Sequence, residues 1–66
     1  MTLRINGRER EVADGGSVLQ IVEALGLKPA TVVVEWNGRV LEREGFGEAR
    51  PAEGDRLEIV RVVGGG

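Results

Sequence analysis

The sequence predicts an α+β domain, a mixed four- to five-stranded sheet packed on one helix, and three observations carry that prediction. Asn-Gly dipeptides stand between strand-like segments at Asn6-Gly7 and Asn37-Gly38. This is the strongest short hairpin signal, because a type I′ turn needs positive φ at both central residues. A single segment, opened by Ser17, repeats its apolar residues at helical spacing. The last apolar run, Leu57 to Val63, reads as a strand and leads directly into three glycines. One apolar helical stripe and one half-buried sheet must cover each other, which gives the α+β layer arrangement.

In chain order, Thr2-Leu3-Arg4-Ile5-Asn6 alternates polar and apolar, as a half-buried strand does. After the Asn6-Gly7 turn, Arg8 to Val12 forms the returning strand, and its dense charge assigns it to an edge or next to one. Ala13 to Gly16 breaks the pattern. Ser17 and Gln20 fit a capping box, in which each side chain satisfies an orphan N–H of the first helical turn. Val18, Ile21, Val22 and Leu25 form the buried stripe. Gly26 supplies the left-handed stop, Leu27 is placed to contact Val22 across it, and Pro29 forbids continuation. Val32 to Trp36 reads as a strand buried on at least one face, Arg39 to Leu41 as a short strand, and Glu42 to Gly54 as irregular. The predicted order is strand, strand, helix, strand, short strand, strand, with the domain spanning 1–63 and a flexible C-terminal glycine tail over 64–66.

Sixty-six residues allow one domain. A chain this short buries only about 60% of the surface its unfolded form exposes, so its stability margin is thin. With no Cys and no His, it has no disulfide or thiolate–imidazole chemistry to draw on, and no metal site is expected. A net charge of −2, with arginines interspersed among glutamates, argues against a nucleic-acid partner. No apolar run reaches membrane-spanning length, and a cytoplasmic location is the expectation.

The inventory also argues against an enzyme. A nucleophilic triad needs a base beside its Ser or Cys, and the only serine is the N-cap. Lys28 reads as a solvated loop residue. Glu42 and Glu44 form a near pair of carboxylates, but in a chain that is 30% charged such pairs arise by chance. Gly45-Phe46-Gly47 lacks the third glycine of a phosphate loop and does not join a strand to a helix.

The tail carries the functional signal. Gly64, Gly65 and Gly66 follow the last strand with no polar spacer. Three extended residues project a carboxylate roughly 10 Å beyond the fold, and a thread without side chains suits a deep, narrow channel. In the last strand Leu57 and Ile59 are assigned to the helix face, which points Val60 and Val62 outward, and Val33 joins them by alternation. Either these valines form an exposed docking patch or a bulge turns them into the core. Arg61, beside the tail, is a further candidate for partner contact.

The hairpin with Asn-Gly, the capped helix, the stretch VVVEWNGRVLEREGF and the ending EGDRLEIVRVVGGG together resemble the ThiS family of sulfur carriers. The resemblance spans essentially the whole chain; Glu42, where many relatives have Pro, is a minor departure. It implies a β-grasp domain related in fold to ubiquitin, whose first and last strands are central neighbours. By the same resemblance, a ThiF-like adenylating enzyme would use ATP and Mg²⁺ to activate the Gly66 carboxylate. A persulfide donor would supply sulfur, and the thiocarboxylate would serve a ThiG-like thiazole synthase in thiamine biosynthesis. No cofactor would be bound by this chain itself. Two alternatives stay open: a MoaD-like or tRNA-thiolation carrier, and a plain β-grasp interaction module with an incidental glycine tail.

Overall fold

The computed structural model describes residues 1–62. Five strands and one helix follow in the order β1 (Thr2–Ile5), β2 (Arg8–Glu11), α1 (Val18–Ala24), β3 (Val32–Trp36), β4 (Arg39–Leu41) and β5 (Arg56–Arg61), with single 3₁₀ turns at Pro29–Thr31 and Arg43–Gly45. The sheet order is β2-β1-β5-β3-β4. β1 runs parallel to β5, and the β1–β2, β3–β4 and β3–β5 pairs are antiparallel. The final strand is therefore the middle strand, and the highly charged β2 is an edge, as its sequence predicted.

Both hairpins close as their dipeptides require. Asn6 and Gly7 adopt φ of 51° and 83°, and Asn37 and Gly38 adopt 51° and 86°. The helix begins with a complete capping box: Gln20 N–H donates to Ser17 Oγ at 3.2 Å, and Ser17 N–H donates to Gln20 Oε1 at 2.9 Å. It ends in a Schellman motif, with Gly26 N–H on Glu23 O and Leu27 N–H on Val22 O.

Leu3 and Ile5 of β1, Val32 and Val34 of β3, and Leu57 and Ile59 of β5 point to one side of the sheet, where they bury against Val18, Ile21 and Val22 of α1. Leu25, assigned to the helical stripe, is only half-buried because it caps the helix rather than sitting inside it.

Two strand limits differ from expectation. β2 stops at Glu11, although Val12 N–H still donates to Met1 O at 2.9 Å. β5 starts one residue earlier, at Arg56, and ends at Arg61, with Val62 N–H donating to Thr31 O at 2.8 Å. Val63 and the 64–66 tail lie outside the described residues.

The segment read as irregular is where packing departs most from the sequence reading. Phe46 is among the largest fully buried side chains, and Ala49 is buried beside it. Their carbonyls accept from the helix: Leu19 N–H donates to Phe46 O and Val18 N–H to Ala49 O, both at 2.9 Å. The loop thus caps α1 from outside while plugging the end of the core.

Candidate functional site

The predicted reactive group, the Gly66 carboxylate, and the Gly64–Gly65 spacer lie outside the described residues. What the structure establishes is the platform that leads to them. β5 runs up the middle of the sheet, held by β1 on one side and β3 on the other, and its C-terminal end is the last described part of the chain.

The two readings of the valines are resolved by register. β3 and β5 pair without interruption from Val32↔Arg61 to Trp36↔Leu57, so no bulge intervenes. Val33 stands directly across from Val60, and both point away from α1. Val33, Val60 and Val62 are 40%, 58% and 54% exposed.

The sequence reading missed a fourth member. Val40 is 69% exposed and pairs with Glu35, so it lies on the same outer face. Only the β3–β4 register could have placed it there. Glu35 and Glu58, paired across the sheet, add carboxylates to this face.

Arg61 does not belong to the cluster. Alternation puts it on the same side as Leu57 and Ile59, across from the buried Val32, and it is exposed only because the core ends there.

Trp36 and Asp55 join β3 to the turn before β5. Trp36 Nε1–H donates to Asp55 Oδ2 at 2.9 Å, and the same oxygen accepts from Ala52 N–H at 2.8 Å. The Ala52 amide first, then the Trp36 indole and the Asn37 side chain, hold the Asp55 carboxyl below the ordinary carboxylate range, outweighing its partial desolvation.

The helix N-terminus offers no anion cradle. The N–H groups of Ser17, Val18, Leu19 and Gln20 are all taken by Gln20, Ala49, Phe46 and Ser17 respectively. Among the described residues, no group of three or more acidic, His or Cys side chains is arranged to hold a metal ion. None of their helices is long and apolar enough to cross a membrane.

A five-stranded mixed sheet with parallel central first and last strands and one helix across it defines a ubiquitin-like β-grasp domain. The ThiS family model matches residues 3–66, and the chain belongs to that family. It is 31% identical to the sulfur carrier protein ThiS of Bacillus subtilis, over 97% of this chain and 98% of that one. Its structure is similar to the crystal structure of the thiamine biosynthesis protein ThiS of Geobacter metallireducens, with a TM-score of 0.85, 38% identity and full coverage of both chains. It is also 35% identical, over its whole length, to part of a thiazole synthase of Paramagnetospirillum magneticum, of which it spans 20%. A thiazole synthase of Magnetococcus marinus gives 32% identity with the same coverage. The chain thus spans about a fifth of these two relatives.

Proposed function

We propose that the chain is a sulfur carrier for thiamine thiazole formation, with Gly66 as the acceptor of sulfur. A carboxylate is a poor electrophile and must first be activated. The C-terminal carboxyl, with an ordinary pKa of about 3.3–3.7, is ionised at neutral pH. One of its oxygens attacks the α-phosphorus of ATP, pyrophosphate leaves, and an acyl-adenylate forms. The terminal sulfur of a persulfide donor attacks the acyl carbon and displaces AMP. A second thiol then attacks the donor-side sulfur of the resulting acyl disulfide, releasing the thiocarboxylate and leaving a disulfide between that thiol and the donor.

In this reading the chain contributes no catalytic group. ATP, Mg²⁺ and the persulfide belong to a ThiF-like adenylating enzyme and a sulfur donor in the cytoplasm, and a ThiG-like thiazole synthase receives the sulfur. Docking falls to the outer sheet face around Val33, Val60 and Val62, with Arg61 on the far side of the strand.

The observation that carries this reading is the match to a ThiS sulfur carrier over nearly the full length of both chains, combined with a glycine tail continuing from the central strand. The thiazole synthases favour that acceptor over a molybdopterin or tRNA pathway. In them a segment like this chain makes up about a fifth of the polypeptide, an arrangement that would raise the effective concentration of a carrier at its acceptor.

The test is the intact mass after incubation with the adenylating enzyme, ATP and a persulfide source. A gain matching one oxygen replaced by sulfur, mapped to Gly66 and lost when Gly65 and Gly66 are deleted, is expected. An unchanged mass in a folded chain would return the protein to the interaction-module class.

A further inference from the structure

Two asparagines read from the sequence as turn formers also grip β5 through their side chains, one at its first residue and one past its middle. At the start of the strand, Asn37 Oδ1 accepts from Arg56 N–H at 2.9 Å, while Asn37 N–H donates to Arg56 O at 2.9 Å. Nearer the tail, the Asn6 amide makes a two-point contact with one residue: Ile59 N–H donates to Asn6 Oδ1 at 2.7 Å, and Asn6 Nδ2 donates to Ile59 O at 3.1 Å.

The second contact solves a problem of the ladder. β1 pairs with β5 only at Arg4↔Arg56 and Ile5↔Leu57, and its last backbone bond is Asn6 N–H to Leu57 O at 2.9 Å. The chain then turns away through Gly7 into β2. Ile59, two residues on, faces the same side of β5 with its N–H and C=O, and no strand is left to meet them. A side-chain amide has the same donor and acceptor as a peptide group, so Asn6 stands in for the missing residue of β1. It pairs β5 on that side up to Ile59, while β3 pairs the other side up to Arg61. Without Asn6, the strand would be held from one side only over the stretch that leads into the tail.

We propose that Asn6 is a positioning residue for the carrier reaction, holding β5 at Ile59 on the side that β1 no longer reaches. This rests on the carrier reading above. Its energetic logic is preorganisation: a tail whose root is already fixed loses less conformational freedom on entering an enzyme channel. The effect should therefore fall on binding of the carrier by its adenylating enzyme, not on the chemical step.

The test compares Asn6→Gly with Asn37→Gly in the full chain. Glycine accepts positive φ, so both turns persist and only the side-chain grip is removed. Pyrophosphate release by the ThiF-like enzyme with ATP gives KM and kcat for the carrier, and amide hydrogen exchange by NMR reports Ile59. Asn6→Gly is expected to raise KM about tenfold, the size of one or two ordinary hydrogen bonds, with kcat within about twofold. Ile59 exchange should accelerate in that variant alone, and Asn37→Gly should leave KM within about twofold of the parent. Equal KM effects from the two variants, or an Ile59 amide as protected as in the parent, would overturn the proposal. Should Asn6→Gly fail to fold, Asn6→Asp keeps the acceptor and loses the donor; a KM rise supports the proposal and an unchanged KM overturns it. A parent chain that is not adenylated at all removes the carrier reading, and this proposal with it.

Discussion

Asp55 accepts two hydrogen bonds on one oxygen and is only half-buried, yet it decides how the single tryptophan sits. Its carboxyl titrates below the ordinary range in the folded chain, so folding favours the ionised form. The stabilisation is therefore complete above the unfolded pKa of about 3.9 and is lost as pH falls through the lower folded value. Asp14, held ionised by the Met1 ammonium, has the same sign and contributes to the same acid limb. The Asp55→Asn variant separates the two, with the fluorescence of Trp36, the only tryptophan, following unfolding. Asp55→Asn should flatten the fall of the urea midpoint, followed by fluorescence, as pH drops below about 4. At pH 7, Asp55→Ala should cost about 1.5–3 kcal/mol, the scale of a lost hydrogen bond to a charged group.

At the scale of elements, the helix and the loop before β5 make each other. α1 spans only seven residues, Val18–Ala24, too short to persist alone in water. Its first two N–H groups are satisfied by carbonyls of Phe46 and Ala49, while the Phe46 ring fills the core beneath it. Removing that ring takes away packing and loosens the cap together. Phe46→Ala should cost about 3–5 kcal/mol. A 66-residue chain has roughly 3–10 kcal/mol of total stability, so this loss is a large share of the total. Urea titration by circular dichroism measures it, and Phe46→Leu should recover most of the loss.

At the scale of the whole molecule, one helix covers one face of a five-stranded sheet, which leaves the other face to solvent. Val33, Val40, Val60 and Val62 stand on that open side. β-Branched residues suit strands, so the valines cost the fold nothing, and they gain only when something covers them. Val60→Arg should change the unfolding free energy by no more than about 1 kcal/mol. If the proposed docking on this face holds, the same substitution should weaken binding to the proposed adenylating enzyme or thiazole synthase by roughly tenfold or more, the effect of truncating an interface hot spot. Calorimetric titration against each partner checks this; unchanged affinity for both would move docking to another face.

The sequence by itself determined whatever depends on neighbours in the chain. Asn-Gly needs positive φ, Ser17 and Gln20 cap each other over three residues, and Gly26 stops a helix because it lacks Cβ; all three were legible and all three are present. The family, too, was readable from motifs spread along the chain. Tertiary structure alone decided what depends on register between distant segments. Phe46 looked like a loop residue because its pocket is built by elements remote in sequence. Val40 joins the valine face only through its pairing with Glu35. The side-chain role of Asn6 was hidden for the same reason: its turn is local, but Ile59 lies 53 residues away, and no local pattern can report a hydrogen bond that only the folded sheet brings within reach.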